Sequence, residues 1–329
     1  MLDTILGALL PMVVTFLLGF VAAWRRDFGP NDASILNRMV LVYAVPLALF
    51  AGTVSTTRAE LSQDMPLLIA LCVAIVGLFG VVFLLSRFVF RAQVSTSALA
   101  ALTASAPAVP FMGPAILGNL FGRPSAIPIA IASLIINLTV VPVTILLLTL
   151  HTADGDSQGK SPPAQDGKHP ASPPAPRLSV LAARLAETVK QPIVWAPVLA
   201  FVIVVSGARI PQLIVHSLSM LGHASGGVAL FASGIVLASG TIKVNWYVSC
   251  LVFVKNIVQP TLALGGLRWL GFGNPIVSKA VLTTAIPTMP IVIMLAVQYR
   301  VAEAEAASAV FLSVVGSVIT MGAFIALTS

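Results

Sequence analysis

Two copies of one proline pattern are the residues of this chain best suited to forming a binding site. The pattern L-T-x-x-x-P-x-x-P occurs in apolar surroundings at residues 102–110 and again at residues 282–290. A proline inside a membrane helix frees backbone groups that hydrocarbon cannot satisfy, so a matched pair indicates two broken helices lining a polar cavity. The N-termini of the half-helices would direct partial positive charge at one spot, which favours an anion. Ordinary proline kinks are the alternative, but the residue-for-residue repeat of the spacing favours the broken helices.

The candidate binding residues lie in and beside these two stretches. The candidates at the breaks are Ser105, Pro107, Ala108, Val109, Pro110, Phe111, Pro287, Thr288, Met289 and Pro290. The hydroxyl groups of Ser105 and Thr288 can serve either a ligand or the freed backbone. The amides of Asn137, Asn256 and Gln259 are further candidates for substrate contact, with hydrogen bonding between helices as the usual alternative.

Lys255 is a charged residue inside a predicted span. It lies about eleven residues into that span, or roughly 16 Å at the rise of a helix, where a lysine costs on the order of 3 kcal/mol on insertion scales. It either binds or couples an anion beside the breaks, or it is neutralised, reaches the interface, or bonds helix-end carbonyls. His223 either carries a proton or packs as a neutral side chain. Lys255 and His223 are therefore the coupling candidates.

The composition indicates a polytopic membrane protein. Of the 329 residues, 58% are hydrophobic and 9% are charged, and the mean hydropathy is +1.01, which excludes a soluble domain of this length. Ten stretches are predicted to span the membrane, near residues 5–24, 35–54, 66–88, 95–120, 127–148, 192–206, 213–239, 244–268, 278–298 and 306–327.

These spans predict an all-α fold of ten transmembrane helices in two five-helix repeats, with helices four and nine broken and crossing. An odd number of spans in each repeat makes the two copies inverted relative to each other. Residues 1–150 form the first repeat, 151–177 a Pro- and Ser-rich disordered cytoplasmic linker, and 178–329 a surface helix followed by the second repeat. The surface helix has an ordinary helix start as its alternative.

The positive charges predict the orientation in the membrane. With the N-terminus outside, twelve of the 18 Lys and Arg residues fall on the cytoplasmic side and five on the other, as membrane insertion favours. We therefore expect a multi-pass inner-membrane protein with both termini on the non-cytoplasmic side. The basic pI of 9.9 then reflects topology, and no nucleic-acid partner is expected.

Several functions are disfavoured by missing residues. All eleven Asp and Glu residues fall in loops, the linker or span ends, so intramembrane carboxylates that bind sodium or relay protons have no candidate. The sequence has no Ser-His-Asp set, Cys/His metal cluster or phosphate-cradling glycine loop. We therefore expect a protein that is not an enzyme and uses no metal or cofactor.

The chain resembles the auxin efflux carrier family and, within it, the bacterial malonate transporters. The resemblance covers both repeats and is carried by LLPMVVTFLLGFVAAWRR, LVYAVPLALFAG, PFMGPAILG, SLSMLGHASGGVALFASGIVLA, VKNIVQP and AIPTMPIVIM. The malonate branch is indicated by PIVWAPVLA, GVALFASG and KNIVQP. Many family members have an asparagine in the first break, after its first proline, where this chain has Ala108. The resemblance therefore implies that backbone amides near Val109 and Phe111, or another side chain, bind the carboxylate.

This resemblance implies a transport mechanism. Helices 1, 2, 6 and 7 would form a scaffold that pairs into a homodimer, while helices 3–5 and 8–10 would carry a carboxylate across the lipid bilayer as an elevator. We accordingly expect a secondary active transporter of a small organic anion, malonate first, with a proton entering alongside it. The alternatives are transport of another carboxylate, or a membrane sensor that binds a carboxylate without transporting it.

Overall fold

A computed structural model of the chain describes residues 2–55, 64–149, 192–208, 210–239 and 243–328. These residues form helices and short connections with no β-strand, which confirms the prediction of an all-α chain. The predicted linker at 151–177 and the surface helix that would follow it lie outside the described residues. In chain order the helices are α1 (Leu2–Trp24), α2 (Asn31–Val54), α3 (Met65–Val89), α4 (Val94–Ser105), α5 (Val109–Phe121), α6 (Ala126–Thr149), α7 (Pro192–Ser206), α8 (Gln212–Ser239), α9 (Trp246–Trp269), α10 (Asn274–Ala285), α11 (Ile291–Tyr299) and α12 (Glu303–Thr328).

Six of these helices are long and apolar enough to cross a membrane, judged by length and composition: α2, α3, α6, α8, α9 and α12. A bilayer core requires roughly 20 apolar residues, and each of the six reaches that length. The helices α4, α5, α10 and α11 are shorter and form two consecutive pairs. Each pair occupies one predicted span and is interrupted at its prolines.

The two interruptions lie against each other. Pro107 and Thr288 form an isolated antiparallel bridge. The backbone N–H of Ala108 donates to the carbonyl oxygen of Pro287 at 2.8 Å, and the N–H of Met289 donates to the carbonyl oxygen of Ala106 at 3.1 Å. Each break therefore satisfies backbone groups that the other break has lost from its own helix, as burial requires.

Turns of π-helix interrupt four of the long helices, a feature that the sequence analysis did not predict. They occur at Val40–Ala44 in α2, Val73–Gly77 and Leu85–Val89 in α3, Ile136–Val140 in α6 and Val254–Val258 in α9. Such turns are frequent at functional sites because the extra residue redirects the side chains around it. Two of the turns contain the predicted site residues Asn137, Lys255 and Asn256.

Helices α1 and α8 are in very close contact through glycine. A Cβ atom added at Gly19 would overlap the carbonyl oxygen of Phe231, and one added at Gly234 would overlap the carbonyl oxygen of Phe16. Both obstacles are backbone atoms, which cannot move aside as a flexible side chain can. Helix α8 also packs on α2, which packs on α7, so α1, α2, α7 and α8 form one contiguous group.

We expect Gly234→Ala to destabilise the protein, because α1 and α8 must separate to admit the methyl group. Overpacking of this kind typically costs about 1–3 kcal/mol. Thermal unfolding of the purified protein in detergent should show a lower midpoint for this variant. The matched control is Gly265→Ala in α9, where an added Cβ has no neighbouring atom within 4 Å. Equal midpoints for the two variants would contradict the close packing of α1 and α8.

Candidate functional site

The carbonyl groups at the end of α4 are satisfied by side chains from α9 and from the break between α10 and α11. Gln259 Nε2 donates to the carbonyl oxygen of Ser105 at 2.8 Å and to that of Ala74 at 3.2 Å. The hydroxyl of Thr288 donates to the carbonyl oxygen of Thr103 at 2.9 Å. The last carbonyls of a helix have no partner within it, so these contacts stabilise the break that follows α4.

The corresponding end of α10 is stabilised by a lysine. Lys255 Nζ donates to the carbonyl oxygen of Thr284 at 2.7 Å and to Gln259 Oε1 at 2.8 Å, and the side chain is fully buried. The C-terminus of a helix carries partial negative charge, which favours N–H donors such as the Lys255 Nζ at this place. Of the interpretations that the sequence left open for Lys255, these contacts are those of a lysine bonded to helix-end carbonyls.

Ser313 of α12 positions the second break. Its hydroxyl accepts from the Thr288 N–H at 3.0 Å and donates to Asn256 Oδ1 at 2.7 Å. Asn256 Nδ2 in turn donates to the carbonyl oxygen of Ser313 at 2.8 Å. The sequence analysis missed Ser313; the signal available was a series of serines in an apolar span, at 308, 313 and 317, all of them buried.

A cavity of about 830 Å³ lies beside the breaks, between α1, α2 and α8 on one side and α5 and α6 on the other. Its polar lining residues are Thr15, Ser55, Ser133, Asn137, Gln212, His216 and Ser219. Gln212 and His216 are exposed to solvent at one end, so the cavity is open there.

Three of the predicted site residues line this cavity: Pro110, Phe111 and Asn137. The other predicted residues that the structure describes are buried in the network around the breaks and are not part of the described lining: Ser105, Pro107, Ala108, Val109, Lys255, Asn256, Gln259, Pro287, Thr288, Met289 and Pro290. The side chain of His223 lies outside what the structure describes. The predicted residues thus divide between a buried network and an open cavity.

Helix α8 contributes polar residues to the cavity that were not predicted from the sequence. Gln212, His216 and Ser219 are spaced four and three residues apart, which places them on one face of a helix. This spacing was the available signal. The segment is mostly apolar, which predicts a membrane span and obscures this polar face.

Asn137 is a polar lining residue with a buried side-chain atom that lacks a hydrogen-bond partner among the described residues. Its side chain is 2% exposed, and its Oδ1 atom is buried without a hydrogen-bond partner in the part of the chain that the structure describes. The start of α5 lies on the same cavity, through Pro110 and Phe111. A helix N-terminus carries partial positive charge. The N–H groups of Val109 and Phe111, which the sequence predicted as carboxylate donors, donate instead to the carbonyl oxygens of Pro107 and Ala108. The end of α5 therefore offers a carboxyl compound its positive field, and the Asn137 amide offers the hydrogen-bonding groups.

Phe111 connects the two sides of the cavity. Its ring lies against Gly226 of α8, where an added Cβ would be 2.9 Å from Phe111 Cδ1. Phe111 and Gly226 are both lining residues. The contact between α5 and α8 at this place depends on the absence of a side chain at residue 226.

Two proline-broken helix pairs in contact, an open polar cavity beside them and several apolar helices of membrane-spanning length are the features of a membrane transport protein. The chain belongs to the Membrane transport protein family, which matches residues 4–325. This family is of the auxin efflux carrier type, which confirms the resemblance found in the sequence.

Relatives of similar length support this assignment. The chain is 31% identical over 323 residues to the "Uncharacterized transporter YfdV" of Escherichia coli strain K12, covering 97% of this chain and 96% of the relative. The protein of the same name in Shigella flexneri shows the same identity and coverage. The "Putative malonate transporter" of Rhizobium meliloti strain 1021 is 24% identical over 322 residues, covering 96% of this chain and 93% of the relative.

We expect Gln259→Met to lower the thermal stability of the protein. The change leaves the carbonyl oxygens of Ser105 and Ala74 without this donor and removes one acceptor from Lys255. Each buried group left unsatisfied costs about 1–3 kcal/mol. Thermal unfolding in detergent should detect the loss, with Ser317→Ala as control because the Ser317 hydroxyl bonds the Val314 carbonyl of its own helix. A Gln259→Met protein as stable as the control would show that the network contributes little.

Proposed function

We propose that the protein is a secondary active transporter of a small organic anion, with malonate as the first candidate, and that it works by alternating access. The observation that carries the proposal is the cavity in which the Asn137 amide and the N-terminal end of α5 lie beside the paired breaks. In transporters, substrate sites are typically formed where half-helix ends meet a cavity near the bilayer midplane.

We further propose that the chain spans the membrane ten times, as two inverted five-helix repeats within residues 1–150 and 178–329. The antiparallel pairing of Pro107 with Thr288 supports this arrangement. The π-turns at Val73–Gly77 and Val254–Val258 add support, because they lie in the third predicted span of each half. The proposed orientation places both termini on the non-cytoplasmic side of the inner membrane.

An elevator-type movement would occur along the cavity. The group of α1, α2, α7 and α8 would be the static scaffold, held by the glycine contact of α1 with α8. The hydrogen bonds of Gln259, Lys255 and Asn256 join α3, α4, α9, α10 and α12 into a second unit. Helices α5 and α6 would move with that unit, so the substrate would sit at the boundary between the static and moving parts.

The choice of malonate has two supports. A relative covering nearly the whole chain bears the name of a malonate transporter. The Asn137 amide can form hydrogen bonds with a carboxyl group. The partial positive charge at the N-terminus of α5 attracts a carboxylate. We also propose that transport is coupled to protons. Two copies of the chain would form a homodimer through their scaffolds.

We expect the purified protein in proteoliposomes to take up radiolabelled malonate in sodium-free buffer, and an inward proton gradient to accelerate uptake. Empty liposomes provide the control. Specific binding of malonate without uptake under any gradient would favour the sensor. Neither binding nor uptake of malonate, by protein that is shown to be folded, would exclude malonate and require other carboxylates to be tested.

The elevator movement can be tested by cross-linking the two units. The rings of Phe16 in α1 and Phe311 in α12 lie 5.1 Å apart, centroid to centroid, across the proposed boundary. In a protein with Cys72→Ala and Cys250→Ala, bridging Phe16→Cys to Phe311→Cys with a short thiol cross-linker should abolish malonate uptake, and reduction should restore it.

The matched control pair lies within the proposed scaffold. The rings of Phe28 and Phe231 are 5.4 Å apart, so Phe28→Cys and Phe231→Cys should be bridged by the same reagent without loss of uptake. Full uptake after bridging residues 16 and 311 would contradict a relative movement of the two units.

A further inference from the structure

We propose that the cavity binds a dicarboxylic acid as its singly protonated anion, with the neutral carboxyl group paired to the Asn137 amide and the carboxylate at the N-terminus of α5. This inference rests on the proposed carboxylate transport and specifies the form of the substrate that is bound. It makes the substrate itself the carrier of the coupled proton.

The hydrogen-bonding groups of Asn137 match a protonated carboxyl group better than a carboxylate. An amide has one acceptor oxygen and an NH₂ donor, whereas an ionised carboxylate can only accept. A carboxylate could bond Nδ2, but it would leave Oδ1, which is buried and has no partner among the described residues, still unsatisfied. An unsatisfied buried acceptor costs about 1–3 kcal/mol. A protonated carboxyl group offers an O–H and a C=O, so it can satisfy both ends of the amide.

The amide is able to present both ends. Pairing with a carboxyl group needs Nδ2 and Oδ1 at the cavity surface together, and Oδ1 is buried. The terminal torsion of an asparagine side chain is broad, so a partial rotation can bring Oδ1 to the cavity that Asn137 lines while Nδ2 stays within reach. The residue also lies in the π-turn Ile136–Val140, where the helix is locally widened. The pairing with a carboxyl group therefore requires no change in the backbone.

The positive field at the N-terminus of α5 is suited to a single carboxylate. Helix α5 has 13 residues, and Pro110 and Phe111 at its start line the cavity. A helix N-terminus provides the equivalent of roughly half an elementary charge, which suits one carboxylate better than two. Lys255 is buried beside the breaks and directs its Nζ to the carbonyl oxygen of Thr284 and to Gln259 Oε1, so its amino group is already bonded. One anionic and one neutral carboxyl group match these contacts.

The titratable groups near Asn137 provide the controls for a pH effect. Within the described cavity lining, α1, α2, α5 and α6 contribute no titratable side chain, and α8 contributes His216. Among the elements packed on α6, α10 carries Lys279, whose Nζ lies 3.6 Å from Asp64 Oδ2. The π-turn of Asn137 also contacts α7 and the Val73–Gly77 turn, neither of which has an acidic or basic residue.

Binding of the monoanion determines how many protons move with each dicarboxylate. The monoanion enters the cavity with its own proton, the loaded site moves, and the monoanion leaves on the other side, where the proton dissociates into the solution. One proton and one dicarboxylate then cross together. No side chain of the protein has to gain or lose a proton during the cycle.

The test compares malonate with malonate monoamide as inhibitor and substrate in proteoliposomes. Above the second pKa of malonic acid the monoanion fraction falls about tenfold per pH unit, so the KM for total malonate should rise about tenfold per unit. The monoamide has one carboxylate and one amide that pairs with Asn137 at any pH. It should inhibit malonate uptake with an inhibition constant that stays unchanged over the same range.

Variants separate this explanation from others. Asn137→Leu should lose monoamide inhibition and malonate uptake, whereas Thr139→Val, an exposed residue of the same π-turn, should keep both. The pH dependence of the KM should persist in His216→Gln, because the titrating group is on the substrate. Persistence of monoamide inhibition in Asn137→Leu would overturn the assignment of the amide.

The outcomes distinguish the two levels of the proposal. Malonate uptake with a KM independent of pH and without monoamide inhibition would leave a carboxylate transporter but overturn the protonated substrate. Absence of both malonate uptake and binding at every pH would overturn the proposed function, and this inference with it.

Discussion

The structure depends on one constraint: backbone groups released by a broken helix must be satisfied inside an apolar molecule. Two breaks solve this together, because Ala108 donates to Pro287 and Met289 donates to Ala106. Neither break could be buried alone without leaving a polar group unpaired, at a cost of several kcal/mol in hydrocarbon. The helices around them are therefore arranged to bring residues far apart in the chain into antiparallel contact. The side chains of Gln259, Lys255 and Ser313 complete the set of partners.

The asymmetry of the two breaks has an electrostatic basis. The carbonyl of Ser105 at the end of α4 accepts from the amide of Gln259, whereas the carbonyl of Thr284 at the end of α10 accepts from the Nζ atom of Lys255. Both donors come from α9, and they bond each other at 2.8 Å. A buried lysine is costly unless its protons are bonded, and helix-end carbonyls with their partial negative charge are suitable acceptors. One helix thus supplies hydrogen-bond donors to both breaks.

This use of polar groups divides the molecule into two functional regions. In the network around the breaks, donors and acceptors bond one another, which makes a rigid unit. In the adjoining cavity, Asn137 has an acceptor without a partner among the described residues, and Pro110 and Phe111 at the start of α5 line the same space. A ligand can compete for groups that have no partner far more easily than for groups already bonded. The groups available to a ligand therefore lie on the cavity side, whereas those of the network already bond one another.

The amino-acid sequence is enough to predict the helical class, the family, the places of the two breaks and the unusual position of Lys255. These features are local or compositional: prolines interrupt helices wherever they fall, and apolar length predicts spans without knowledge of neighbours. It could not determine that Lys255 bonds Thr284, that Ser313 holds the Thr288 N–H, or that Asn137 faces a cavity with Pro110 and Phe111. Each of these contacts joins residues from different helices. The π-turns also rotate the side chains that follow them, so a regular helical projection assigns the wrong faces. Only the tertiary structure decides such contacts, because they depend on how the helices pack and in which register.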